Sequence, residues 1–412
     1  MRTHPVFFRI GVVTTLAVLL LIQVAAVVPA TPLAYGGDSL VYHVYYFPLV
    51  VTTAPDQRAG DEELVFLQSN GRIIVTDPHV PSGSQAVSWQ SPSTGWNGVI
   101  LGDFNGDGDQ EILAFKGGHA ELFDPVVQSG QVVVYGEWNI ASPYEWYNMA
   151  AGDIDADGHD EIVLLRSDDA PGQIKSRLLV FDGNSAGTSW ARIQNLRHGA
   201  RWDDMAMGDV NADGREDIGL IRDEDKLLLI LNPANWSRLH EASYNFPWLD
   251  LELINTHSGS AADKTEIVLS RREVEAALPS VLVFRWSWGT SISDVWQGHF
   301  FPYFTDIEGA DLNGDGDEEI IMYRDRSDVE ITLASRNITG TGMRAFEPAG
   351  ANSPGGGWLN VKAGDLEGDG RDEVILVRSS KYRVYDRPET SDHFYEVAGS
   401  FRRSFAVGDL DG

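Results

Sequence analysis

One acidic phrase recurs along this chain and limits what it can fold into. GDFNGDGDQEILAFK begins at Gly102, GDIDADGHDEIVLLR at Gly152, GDVNADGREDIGLIR at Gly208, ADLNGDGDEEIIMYR at Ala310 and GDLEGDGRDEVILVR at Gly364. A sixth copy, GDLDG, starts at Gly408 and meets the end of the chain. The first aspartates stand at 103, 153, 209, 311, 365 and 409, in steps of 50, 56, 102, 54 and 44 residues. The long step is two periods, and the tail of the phrase survives inside it as KTEIVLSR at 264–271. Another worn copy, GDEELVF at 60–66, lies one period before the first good one. The sequence therefore reads as seven complete units of ~50 residues and the start of an eighth. Ending inside a motif, the chain is expected to be a fragment.

Each unit reads as β structure. In the second, residues 99–104, 111–116, 120–123 and 131–135 are short runs of Val, Ile, Leu and aromatics, separated by Gly, Pro, Asp and Asn. Four strands per unit with no helical periodicity predict an all-β fold, a β-propeller of four-stranded blades. The count is seven blades, or eight if the final motif opens another. β-Helices use shorter repeats, and tandem sandwiches need about twice the length per unit. Radial repetition also protects the sheet edges, since each blade packs on its neighbours.

The phrase itself is built to hold a hard cation. Asp103, Asn105, Asp107 and Glu111 offer oxygens at loop positions 1, 3, 5 and 9, and position 7 can offer its backbone carbonyl. Calcium takes 6–8 oxygen ligands, and the glycine at position 6 allows the sharp turn that wraps them round one ion. An EF-hand needs a bidentate Glu at position 12 between two helices. Position 12 here is Ala114, Leu164, Leu220, Met322 or Leu376, each within an apolar run. The loop must instead join two strands. Charge agrees: the six phrases hold 25 of the 61 Asp and Glu residues but only 7 of the 31 Lys and Arg.

The pattern A-G-D-x-D-x-D-G-x-x-E-I-x-x resembles the FG-GAP or VCBS-type repeat of integrin-α-like β-propellers, where calcium sits in the hairpin between a blade's first two strands. The likeness covers residues 40–412, nearly all of the expected propeller region, 38–412. It implies about five calcium sites: Asp103, Asn105, Asp107, Asp109 and Glu111; Asp153, Asp155, Asp157, His159 and Glu161; Asp209, Asn211, Asp213, Arg215 and Asp217; Asp311, Asn313, Asp315, Asp317 and Glu319; and Asp365, Glu367, Asp369, Arg371 and Glu373. The fourth residue of each set, at position 7, would act through its carbonyl only. Glu367 is longer than the usual Asp or Asn. Blades one and five have lost the ligands and are expected to bind nothing.

A formal charge of −30 disfavours nucleic acid and anionic membranes as partners and favours cations. With no cysteine, disulfide scaffolds, thiolate metal sites and cysteine nucleophiles are excluded. Residues 1–34 read as a targeting segment: Arg2 and Arg9 precede an apolar run at 10–28 that ends at Pro29. This is a cleaved signal peptide or a retained N-terminal membrane anchor, and both place the rest outside the cytoplasm.

Two further columns emerge when the repeats are aligned. Thirteen residues after each first aspartate stands a base: Lys116, Arg166, Arg222, Arg324 and Arg378, with Arg271 in the worn fifth copy. These are expected to form ion pairs at the end of strand two with acids such as Asp168, Asp169, Asp223 and Asp325, rather than an anion-binding ring. Seven residues before the aspartate stands an aromatic: Trp96, Trp146, Trp202, Phe304 and Trp358, with Trp248 in blade five. Packing between blades explains them; exposed, they would be sugar-stacking platforms.

No catalytic constellation is found. GNSAG at 183–187 matches the nucleophile-elbow pattern but lacks the following helix, and the ten histidines are scattered. The sequence thus predicts an exported calcium-binding propeller, extracellular or on the cell surface, that binds a protein or glycan. The rival readings are the scaffold of a polysaccharide-active enzyme and a purely structural ectodomain.

Overall fold

The second strand of each unit is continuously apolar rather than alternating, as in Glu161-Ile162-Val163-Leu164-Leu165. A strand with that pattern must be covered on both faces, and the fold supplies the cover by placing a blade on either side. The computed structural model describes residues 62–76, 87–116, 119–124, 133–139, 146–167, 176–183, 190–245, 247–256, 265–271, 281–287, 291–298, 306–314, 316–323, 331–334, 343–346, 360–386, 393–408 and 410. All belong to one compact unit, Leu49–Gly412. The targeting segment, the glycine run before Trp358 and the second half of GNSAG lie outside the described residues. Among the described residues no helix is long and apolar enough to cross a membrane.

The described residues form an all-β propeller of four-stranded antiparallel sheets. In blade two, β4 (Gly98–Gly102), β5 (Glu111–Lys116), β6 (His119–Asp124) and β7 (Val133–Asn139) pair in sequence order. Blade three has β8 (Trp146–Gly152), β9 (Glu161–Ser167), β10 (Ser176–Gly183) and β11 (Trp190–His198). Blade four has β12 (Asp204–Gly208), β13 (Asp217–Arg222), β14 (Leu227–Asn232) and β15 (Ser237–Ser243). In blade five these are β16 (Trp248–Ile254), β17 (Glu266–Arg271), β18 (Val281–Ser287) and β19 (Ser291–Gly298). Blade six comprises β20 (Asp306–Ala310), β21 (Glu319–Tyr323), β22 (Ile331–Ala334) and β23 (Met343–Phe346). Blade seven comprises β24 (Asn360–Gly364), β25 (Glu373–Arg378), β26 (Lys381–Asp386) and β27 (His393–Ala398).

The remaining sheet, blade one, corrects the unit count. Its order is β28–β1–β2–β3, with β1 (Glu63–Gln68), β2 (Ile73–Thr76) and β3 (Val87–Gln90) joined by β28 (Phe401–Gly408). Glu63 pairs with Gly408, and Leu64 with Val407. The strand before GDLDG is therefore the first strand of blade one, not the opening of an eighth blade. The worn copy at 60–66 is only half a unit. Sequence comparison hid this because the two halves of one motif lie at opposite ends of the chain.

The hydrophobic core is divided among the blade junctions. Phe104, Leu113 and Leu122 of blade two meet Met149, Ile162 and Leu164 of blade three. Leu64, Phe66 and Phe405 of blade one close against Ile375, Val377 and Tyr382 of blade seven. Three members of the aromatic column, Trp96, Trp202 and Trp248, belong to these junctions. Trp96, Trp202 and Trp248 are at most 1% exposed, so these three are not sugar platforms.

Inner-strand polar groups also cross from blade to blade. Asn148 Nδ2 donates to Asp204 Oδ1 at 2.9 Å, and Asp204 Oδ2 accepts from Leu251 N at 3.1 Å. Asp250 Oδ2 accepts from Ile307 N at 2.6 Å. An innermost strand has one unpaired edge, and these carboxylates satisfy its N–H groups.

Candidate metal centres

Each acidic loop joins the first two strands of its blade. Loop position 1 is an aspartate whose carboxylate collects the backbone N–H groups of positions 4 to 6. Asp103 Oδ1 accepts from Gly106 at 2.6 Å and Asp107 at 3.2 Å, and its Oδ2 from Gly108 at 3.0 Å. Asp153 does the same with Ala156 (2.7 Å), Asp157 (3.2 Å) and Gly158 (3.0 Å). Asp209, Asp311 and Asp365 repeat it with Gly214, Gly316 and Gly370 at 2.7–2.8 Å. The turn depends on the glycine at position 6: Gly108 has φ 100°, which a residue with a Cβ rarely adopts.

Position 9 is a buried acid anchored to the backbone of position 2. Glu111, Glu161, Glu319 and Glu373 accept through Oε2 from Phe104, Ile154, Leu312 and Leu366 at 2.9–3.1 Å. The residues at position 2 are buried in the junctions, so this bond fastens the loop to the core. Glu63 accepts from Leu410 N in the same way at 3.0 Å, which makes Glu63 the position-9 acid of a motif begun at Asp409. Asp61, Asp315, Asp409 and Asp411 lie outside the described residues.

The loops differ in what faces the other oxygen of that acid. Asn105 and Asn313 donate Nδ2 to Glu111 and to Glu319 Oε1, the latter at 2.6 Å. Asn211 donates to both oxygens of Asp217 at 3.1 and 2.8 Å. In blade three, position 3 is Asp155, which has no N–H to give. Glu161 Oε1 is buried without a hydrogen-bond partner, and oxygens of Asp153, Asp155 and Glu161 lie within 4.8 Å of one another. Burial is the largest cause raising the carboxyls of Glu111, Glu161 and Asp217 to about 8, with neighbouring carboxylates adding to it. Burial, then Asp157, also raises Asp155.

A group of acids held this way needs either protons or a cation. The donors are all oxygen, as calcium prefers, so the residues fit that ion. In blade five the buried acid has more donors: Thr256 donates its N–H at 3.1 Å and its hydroxyl at 2.8 Å to Glu266 Oε2.

Sequence reading missed position 8. Its backbone N–H crosses to the position-1 carbonyl of the preceding blade. Asp160 bonds Asp103, Glu216 Asp153, Thr265 Asp209, Glu318 Asn255, Asp372 Asp311 and Glu62 Asp365, all at 2.8–3.1 Å. Several of these side chains add a second bond, as Asp160 Oδ2 does to Asp103 N at 2.9 Å. Burial leads the causes raising Asp160 to about 6 and Glu216 and Glu318 to about 7. The signal was an acid beside the position-9 acid in five of the seven units, with Gln110 and Thr265 in the other two, which reads as extra loop charge until the neighbouring blade is in place.

The basic column is corrected in detail. Arg222 makes a bidentate pair with Asp225, at 2.7 and 2.6 Å, rather than with Asp223, and lies over the Trp202 ring at 4.7 Å. Lys116 Nζ lies 4.0 Å from the Trp96 ring centre. Arg166 and Arg271 stand opposite Trp146 and Trp248 in the strand registers. The base and the aromatic thus share one place across the first two strands, and in blades two and four the cation is held on the indole face. Arg324, Asp168, Asp169 and Asp325 lie outside the described residues.

Residues 311–376 match the FG-GAP-like repeat family. The chain is therefore a β-propeller that carries an FG-GAP-like repeat at these residues. Solved structures agree on the fold. An Agrocybe aegerita lectin, described for specific recognition of non-reducing terminal N-acetylglucosamine, superposes with TM-score 0.57 at 15% identity, over 86% of this chain and 96% of its own. BBS1N, solved in complex with ARL6DN, superposes with TM-score 0.51 at 11% identity, over 84% and 89%. A Bacillus licheniformis rhamnogalacturonan lyase reaches TM-score 0.40 at 11% identity, over 84% of this chain and 69% of its own, too loose to carry any inference about chemistry. No curated protein matches the chain.

Proposed function

We propose that this propeller is an exported, calcium-stabilised binding module that presents its blade ring to a protein or glycan outside the cell. The cation part rests on one observation: Glu161, whose Oε1 is buried and unpartnered, has its carboxyl group clustered with those of Asp153 and Asp155. Bound calcium would supply positive charge to carboxylates that otherwise repel one another. Asp153, Asp155, Asp157 and Glu161 would hold it, with the His159 carbonyl. The loops of Asp103, Asp209, Asp311 and Asp365 would hold four more ions on the same plan.

The binding role is supported by the fold-level likeness to a glycan-recognising lectin and to a propeller solved with a protein partner. Because Trp96, Trp202 and Trp248 of the aromatic column are buried, any glycan contact would fall on residues other than these three. A glycan array probed with the full chain, in calcium and in EDTA, tests the reading. Calcium-dependent retention on a defined glycan class supports it. No retention, together with no capture of extracellular protein, leaves a scaffold and overturns it.

A further inference from the structure

The backbone bond at position 8 has a consequence for the residue before it. It pins each position-7 residue beside the acidic loop of the preceding blade. A methyl group built on Gly106 would meet His159 Nε2 at 2.6 Å, and one on Gly314 would meet Arg371 Cγ at 3.1 Å and Nε at 3.5 Å. Arg215 is held beside the Asp153 loop by the bond from Glu216 N to the Asp153 carbonyl, 3.0 Å. His159, Arg215 and Arg371 are half-buried, whereas positions 4 to 6 of the Asp103 and Asp153 loops and Gly314 and Gly316 of the Asp311 loop are exposed, and the side chains of His159 and Arg371 lean across the junction.

At four described junctions the charges follow the neighbour, whereas the acid-rich loop of Asp365 is followed in sequence by an acid, Asp61. The acid-rich loops of Asp103, Asp153 and Asp311 are followed by His159, Arg215 and Arg371. The acid-poor turn at Asn255 and Thr256 is followed by Asp317, through the bond from Glu318 N to the Asn255 carbonyl at 2.8 Å. In sequence, Lys264 precedes the residue bonded to Asp209 and Asp61 the one bonded to Asp365; both lie outside the described residues.

We propose that Arg215 and Arg371 are built-in counter-ions of the loops of Asp153 and Asp311, competing with a bound cation and grading cation affinity from loop to loop. This rests on the calcium reading above. A guanidinium near an empty loop offsets its carboxylates, and near a filled loop it repels the ion. Its effect on stability must therefore differ in sign between the two states. Packing of its stem would act alike in both.

The test is thermal unfolding and calcium titration of Arg215→Met and Arg371→Met, with Arg215→Lys and Arg371→Lys as charge-preserving controls. In EDTA the Met variants should melt below wild type. In calcium their ion-induced shift should exceed that of wild type, with the affected loop binding roughly three- to tenfold more tightly. The Lys variants should behave as wild type. Equal losses with and without calcium, or no change in either, would overturn the proposal. Wild type separates the two ideas: if calcium leaves its melt unmoved, the calcium reading fails, while the EDTA comparison of Met with Lys still decides whether the arginines neutralise their loops.

Discussion

Blades three and five bury the same kind of acid at the same place and complete it differently. Glu161 has one oxygen tied to Ile154 N and the other without a partner, and its carboxyl group is clustered with those of two aspartates. Glu266 has Thr256 donating both an amide and a hydroxyl to one oxygen. The buried acid and its bond to the backbone of position 2 are common to both blades, while the partners of the acid's other lone pairs differ. What an ion adds is decided by position 3 and its neighbours. The asparagine loops lie between the extremes, since the amide of Asn105, Asn211 or Asn313 can bond the acid or turn its oxygen toward a cation.

The largest test of this contrast is chelation. At millimolar calcium and a dissociation constant of ~10⁻⁴ M, each filled loop contributes about 1.4 kcal/mol. Five would contribute about 7 kcal/mol, comparable to the stability of a whole domain. Calorimetry in EDTA should show a melting temperature many degrees lower; an unmoved transition removes calcium from the account.

Next comes pH. Glu111, Glu161 and Asp217 have folded-state values raised to about 8 from ordinary values near 4. The folded state then binds more protons than the unfolded one between those limits, so stability is fully present below the ordinary value and is lost as pH rises toward 8. Chelated protein should melt progressively lower from about pH 5 to about pH 8. Saturating calcium should flatten that slope, and a flat slope without calcium would count against buried acids as its source.

Paired substitutions probe the contrast itself. Glu161→Gln should remove roughly one ion's share, about 1.4 kcal/mol, in calcium and little in EDTA. Glu266→Gln should cost about 1–3 kcal/mol in both, because it disturbs bonds that no ion replaces. Equal calcium dependence of the two variants, read from denaturant midpoints, would erase the distinction drawn here.

The smallest effect is expected from Asp155→Asn, which gives blade three the amide its neighbours have. Chelated stability should rise by about 1 kcal/mol, and the calcium-induced shift should shrink. No gain in EDTA would mean that Glu161 Oε1 is satisfied in some other way.

Much of this was legible in the sequence because radial repetition prints each blade's requirements in series. The position-1 aspartate, the position-6 glycine and the position-9 acid each serve their own loop, so spacing within one unit reveals them. What stayed hidden depends on the next blade. The Asp160–Asp103 and Glu216–Asp153 bonds, the lean of His159 onto Gly106, and the Asn148–Asp204 contact join residues 53–63 apart. Their partners follow only from knowing which blades touch. The basic and aromatic columns were each visible, but their meeting requires the register that sets Arg166 opposite Trp146. Blade one was misread because its motif is divided between residues that pair across 347 positions.

That last separation bears on how the chain is made. Blades two to seven each have their inner strand before their second strand, so each can finish soon after it leaves the ribosome. Blade one has β1 to β3 early and waits for β28. At 5–20 residues per second, 347 residues take roughly 20–70 s. For that interval β1 carries an open edge able to recruit another strand, and Glu63 has no Leu410 to hold. The propeller is most exposed to aggregation at the beginning of its own synthesis, and its last strand ends the exposure.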